Sequence, residues 1–106
     1  MLARDTISPV RDDVSGREGE SVTLRCEYET TYEYVYLYWF RHDSDLQPPR
    51  FILWKGARSR SSNKNIPDGR YKSQTSRTST EVTISSLTLA DSALYYCDAL
   101  GERLPA

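Results

Sequence analysis

The stretch that decides the fold is "DSALYYC", Asp91 to Cys97. It sets an aspartate four residues before a tyrosine and six before a cysteine. The residues around it, "LTLADSA", can form one short helical turn, because Thr88 can cap it and Asp91 suits its first turn. The other cysteine, Cys26, lies 71 positions upstream. Two cysteines and the single histidine, His42, are too few and too scattered for a structural zinc site. The pair is therefore either a disulfide or two free thiols. A bridge closing so long a loop contributes about 4 kcal/mol in the chain-entropy account, and would imply an oxidising, extracellular setting.

Upstream, the pattern is strand after strand with turn chemistry between. In "GREGESVTLRCEYE", Val22, Leu24 and Cys26 share one face and Ser21, Thr23 and Arg25 the other, which is a half-buried strand. "EVTISSL" repeats this, with Val82, Ile84 and Leu87 inward and Thr83 and Ser85 outward. "RFILWKG" and "RYKSQTS" read as two more strands, and "SGRE", "HDSDLQPP", "NIPDG" and "TLAD" as turns or loops. Short strands with turns every 8–12 residues predict an all-β sandwich or barrel, and a long disulfide loop favours two antiparallel sheets tied together.

"YVYLYWFRH" breaks the apolar–polar alternation. Val35, Leu37 and Trp39 fall on one face, and Tyr36, Tyr38, Phe40 and His42 on the other. A strand this apolar on both faces is covered twice or lies at an interface. A sandwich of this size has only two sheets, so the aromatic outer face requires a partner or a covering loop.

Length and composition narrow the functions. At 106 residues the chain reads as one domain, 1–106. A formal net charge of −1 gives no basis for a general nucleic-acid or anionic-membrane binder. The basic stretch "KGARSRSSNK", with Lys55, Arg58, Arg60 and Lys64, is either a phosphate site or, given its Ser and Gly, a solvated loop. No apolar run approaches the roughly 20 residues of a membrane span. "MLARDTISP" lacks the apolar core of a signal peptide, Met1 reads as an expression start, and the segment reads as soluble. No nucleophile–base pair, phosphate loop or metal cluster suggests an enzyme, and no cofactor is expected.

These residues converge on a family. Cys26, Trp39 thirteen positions later, and Asp91, Ala93, Tyr95 and Cys97 in D-x-A-x-Y-x-C resemble the variable-type immunoglobulin domain over nearly the whole chain. "YLYWFR", "ILWKGARS" and "STEVTISSLTLADSALYYC" look most like a T-cell receptor alpha or delta variable domain. The resemblance implies a V-type sandwich in which Cys26 bridges Cys97, and Trp39 packs on the bridge with Leu24 and Leu37. It implies a corner role for Tyr95 and an Arg70–Asp91 ion pair. It assigns Tyr36, Tyr38, Phe40, His42, Pro49, Phe51 and Tyr96 to an interface with a second variable domain. His42 stands where a glutamine is usual. It places antigen contacts in a first loop with Thr31, Tyr32, Glu33 and Tyr34, in a second with Lys55, Arg58 and Arg60, and in a third with Leu100, Gly101, Glu102 and Arg103.

One departure is clear. The F-G-x-G that opens the last strand of such domains does not occur, so that strand is expected to be missing, incomplete or supplied from elsewhere. The strand holding Tyr95 to Cys97 would then be a sheet edge prone to self-association. Two functions follow. The first is an antigen-receptor variable domain on the extracellular side of the plasma membrane. It would bind antigen or a peptide-presenting molecule jointly with a second variable domain, as a heterodimer in the natural receptor and as a homodimer when isolated. The second is a V-set ectodomain of an innate or adhesion receptor that binds through its sheet face.

Overall fold

A computed structural model describes residues 6–58, 63–65 and 69–102. Eight strands run in chain order: β1 Thr6–Pro9, β2 Val22–Glu29, β3 Tyr34–His42, β4 Arg50–Arg58, β5 Asn63–Asn65, β6 Tyr71–Thr75, β7 Ser79–Ile84 and β8 Leu94–Glu102. They form two four-stranded sheets, ordered β1-β2-β7-β6 and β5-β4-β3-β8, with every pairing antiparallel. The all-β sandwich expected from strand periodicity is therefore present. Among the described residues β8 pairs with β3 alone, so its other edge has no strand beside it.

The sheets face one another across apolar residues supplied by alternate positions of each strand. Cys26, Trp39, Ile52, Leu53, Tyr71, Val82, Ile84 and Leu87 are buried together, with Leu24, Tyr95 and Cys97 partly buried against them. Tyr28, Val35, Leu37 and Ala57 form a second cluster toward one end. Cys26 and Cys97 are bridged, with Cα atoms 6.6 Å apart, which ties β2 of one sheet to β8 of the other. Trp39 packs beside this bridge and its indole Nε1–H donates to Thr80 Oγ1 at 3.2 Å, so its one polar atom is not buried unpaired.

A bulge in β4 decides which of its residues face outward. Trp39 pairs with Leu53 but Phe40 pairs with Phe51, so Ile52 is the extra residue. Ile52 and Leu53 are consequently both buried, while Phe51 and Trp54 on either side are half-buried on the outer surface. Strict alternation would have sent Phe51 and Trp54 to opposite faces.

The turn before β8 is densely hydrogen-bonded. Residues Leu89–Asp91 form a single 3₁₀ turn capped by Thr88. Ala90 N–H donates to Thr88 Oγ1 at 3.2 Å, and Asp91 Oδ2 accepts from Thr88 N–H at 2.9 Å, a reciprocal capping box. Both Asp91 oxygens also accept from Arg70, each at 2.9 Å. Arg41 reaches the same carboxylate at 3.5 Å, bonds Ala90 O through Nη2, and lies 5.8 Å from the Tyr95 ring centroid. Tyr95 donates its hydroxyl to Asp91 O at 2.7 Å. Its burial pushes that phenol up to about 12.

The Arg70 hydrogen bonds, reinforced by the Thr88 N–H, hold the Asp91 carboxyl down at about 2 despite its burial. A carboxyl whose folded value lies below its unfolded one stabilises the fold fully above the unfolded value. That stabilisation fades as pH falls through about 4 toward 2. The depression corresponds to on the order of 2 kcal/mol. Asp91→Asn should lower unfolding free energy at pH 7 by about 2–4 kcal/mol, since it removes the buried anion that two partly buried arginines share. Urea denaturation at pH 7 and near pH 2.5 checks this, with the gap between variant and parent shrinking at the lower pH.

Candidate recognition surfaces

The outer face of the sheet containing β3 is continuous and aromatic. The β3 side chains Tyr36, Tyr38, Phe40 and His42 alternate with the buried Val35, Leu37 and Trp39 and are all half-buried. Trp54 meets Tyr36 edge-on with centroids 5.2 Å apart. Tyr36 is 6.5 Å from Tyr38, which stacks on Phe40 at 6.3 Å. Phe51 closes the group, at 6.4 Å from Tyr38 and 6.0 Å from Phe40. Pro49 is exposed in the loop beside Phe51.

Strand β8 extends this face. Its register sets Leu94 opposite His42, Tyr96 opposite Phe40, Asp98 opposite Tyr38 and Leu100 opposite Tyr36. Because cross-strand partners share a face, all four project outward beside the aromatic rings. Leu94, Tyr96 and Leu100 are 59%, 45% and 54% exposed, and Tyr96 lies 6.2 Å from the His42 ring. Trp54 was absent from the residues read off the sequence for this face. The bulge at Ile52 puts it there, and period-two reading does not anticipate a bulge.

Beside the start of β8 lies a groove of about 660 Å³. Its lining includes Val10, Val14, Val22, Leu24, Leu94 and Tyr95, Trp39 and Cys26 of the core, and the charged Arg11, Asp12, Arg25 and Glu81. Cys97 is half-buried while Cys26 is 2% exposed.

At the end where β3 begins, the β2–β3 loop meets the β6–β7 turn. Thr31 and Glu33 are exposed, while Tyr32 and Tyr34 are half-buried, with Tyr32 leaning on the Tyr28–Val35–Leu37–Ala57 cluster. Tyr34 is already the first residue of β3, paired with Arg58 on one side and Glu102 on the other. Glu33 pairs with Arg77 of the β6–β7 turn at 2.7 Å.

Residues 10–104 match the immunoglobulin V-set domain family. The chain belongs to that family. Human T cell receptor alpha variable 14/delta variable 4 is 34% identical to this V-set domain over 83 residues, 76% of the chain and 68% of that protein. Human T cell receptor alpha variable 38-1 is 30% identical over 92 residues, 87% of the chain and 78% of that protein. The V-set domain is thus of the T-cell receptor variable type, and it is a receptor domain rather than an enzyme. A solved chain from "Structural basis of T cell specificity and activation by the bacterial superantigen toxic shock syndrome toxin-1" superposes with a TM-score of 0.81. It covers 97% of this chain and 87% of its own at 19% identity, which speaks to the fold.

The V-set domain departs from the loop assignment in its second loop. Lys55 is not in a loop: it is an inner residue of β4, opposite Leu37, and its ammonium donates to Ser73 O at 3.2 Å. Arg58 likewise ends β4 and turns its guanidinium onto main-chain carbonyls instead of outward. The physical reason is that β4 pairs with β3 as far as Tyr34–Arg58, so the sheet extends two turns of side-chain alternation further than the resemblance implied. In the third loop, Leu100, Gly101 and Glu102 belong to β8, which pairs with β3 up to Tyr34. Arg60 and Arg103 lie outside the described residues. Arg41, missed in the sequence, carried a usable signal. It falls on the same face of β3 as Trp39 and Leu37, and an inward arginine needs an acid, which Asp91 supplies.

If the rings form an outer face and not a core, their truncation leaves the fold standing. Tyr38→Ser and Phe40→Ser should each cost less than about 1.5 kcal/mol. Leu37→Ala, on the opposite face of the same strand, should cost about 2–5 kcal/mol. Urea denaturation of the three variants makes the comparison.

Proposed function

We propose that this domain is one half of an antigen receptor's recognition unit, extracellular and displayed at the plasma membrane. It packs against a second variable domain through the aromatic face and engages antigen or a peptide-presenting molecule with the loops around Thr31–Tyr34. The observation that carries this reading is the ring assembly Trp54–Tyr36–Tyr38–Phe40–Phe51, continued by Tyr96. Contiguous apolar surface of this kind on a small domain marks an interaction site, and aromatic residues dominate the centres of protein interfaces.

The Cys26–Cys97 disulfide supports an oxidising, extracellular location. Among the described residues no helix is long and apolar enough to cross a membrane. Tyr32 and Tyr34 suit ligand contact, because tyrosine offers large amphipathic area with few torsions to order. His42, Pro49, Phe51 and Tyr96 are assigned to the rim and continuation of the same partner-facing surface.

In the absence of a second variable domain, another copy of this chain takes its place. The unpaired edge of β8 and the exposed Leu94, Tyr96 and Leu100 favour this, since an open edge beside apolar side chains is a template for pairing. Sedimentation velocity should show the purified domain as a dimer or larger species at tens of micromolar. Tyr38→Ser combined with Phe40→Ser should be monomeric at the same concentration and retain the parent's far-ultraviolet circular dichroism. A monomeric parent would overturn the self-association reading.

A further inference from the structure

At the loop end of the sandwich, two separate stretches of chain, Tyr28–Tyr32 and the β6–β7 turn, converge on one guanidinium. Arg58 Nη1 donates to Thr30 O and Tyr32 O, both at 2.7 Å. Its Nε and Nη2 donate to Arg77 O at 3.1 and 2.7 Å. The guanidinium carbon lies 5.4 Å from the centroid of the buried Tyr28 ring. Tyr28 in turn donates its hydroxyl to Ser76 O at 2.6 Å. The β6–β7 turn is therefore held at two successive carbonyls, one by Tyr28 and one by Arg58, and the first loop is held at two more.

The backbone supports this arrangement. Alternation along β4 puts Ala57 inward, and Arg58 adopts φ 58°, in the left-handed region that residues with a side chain seldom occupy. Such a conformation persists when the surroundings over-determine it. Here they do, because the rotated guanidinium crosses from the β4 sheet to the turn of the opposite sheet. Only arginine fits the task. Its planar fork directs several N–H groups to fixed positions, whereas a lysine ammonium is a point donor.

We propose that Arg58 is a positioning residue for recognition: it clasps the first loop, Thr30–Glu33, to the β6–β7 turn, so that the loop meets its ligand already ordered. This rests on reading that end of the domain as the ligand-facing one. Arg58 then acts through the loop it holds and not by touching the ligand, and ordering the loop beforehand removes an entropic cost from binding. The surface pair Glu33–Arg77 spans the same two stretches on the outside, but the clasp uses the carbonyl of Arg77 and not its side chain.

Amide hydrogen exchange on the ligand-free domain tests the clasp without presupposing what is bound. The amides to follow are Tyr32, Thr78 and Ser79, which donate to Thr30 Oγ1 and to Ser76 Oγ within the clasped stretches. In Arg58→Ala these should exchange about tenfold faster or more, while Cys26, Leu37 and Val82 keep the parent's protection. Arg58→Lys should restore only part of the protection. Arg77→Ala should leave the three amides protected, because its carbonyl remains. Unchanged exchange in Arg58→Ala, full rescue by lysine, or acceleration spread evenly over both sheets would each overturn the proposal. Should Arg58→Ala fail to fold, Arg58→Lys alone decides, by whether loosening is confined to the loop and turn. A clasp found intact in a domain whose first loop touches no ligand would sink the recognition reading alone.

Discussion

The Cys26–Cys97 bridge is the tether on which both candidate surfaces depend. Among the described residues strand β8 pairs on one side only, and such an edge strand would otherwise be held by a single ladder. The bridge fixes it to β2 of the opposite sheet. The bonded cluster around Asp91 anchors its start, through Tyr95 and the capped 3₁₀ turn. With β8 held at its start and near its middle, Tyr96 and Leu100 keep their register beside Phe40 and Tyr36, and the aromatic face extends across three strands.

The two arginines on Asp91 differ in what they stabilise. Arg70 makes the bidentate pair and links the start of β6 to the turn. Arg41 comes from β3 and also bonds Asp43, so it connects the central strand of one sheet to the same carboxylate. A buried anion between two cations is costly to break from either side, because each removal leaves charge behind in a poorly solvated place. The cluster thereby fixes how the two sheets meet at the end remote from the loops, as the Arg58 contacts do at the other.

Much of this was legible in the residues because the elements concerned obey one period throughout. In β2 and β7 the apolar and polar sets alternate without interruption, and in β3 the inward and outward sets keep period two although both are largely apolar, so faces could be assigned from sequence, and Thr88 with Asp91 spelled out the capped turn. Where the period breaks, reading fails. The extra residue Ile52 moves Trp54 to the face of Phe51, and nothing in "RFILWKG" marks the break. The family resemblance implies a loop at Lys55 and Arg58, and Gly56 with the serines that follow agrees with a loop in composition alone. In the fold Gly56 lies within β4, paired with Tyr36, and the strand continues past it. Tyr28 falls on the face of Val22, Leu24 and Cys26, but the partners of its hydroxyl and ring are not legible in the residues around it. They are Arg58 and Ser76, residues far from it in the chain and brought to it only once the sheets are packed.

Arg58 grips main-chain carbonyls at Thr30, Tyr32 and Arg77, and main-chain carbonyls are the same whatever the side chain. The hold on the first loop and on the β6–β7 turn is consequently blind to the amino acids that decorate them. Thr31, Glu33 and Arg77 can be exchanged for other residues while the path of the backbone beneath them stays put. A single invariant-in-kind contact in the scaffold thus separates the shape of the loop from its chemistry, and leaves the chemistry free to diversify.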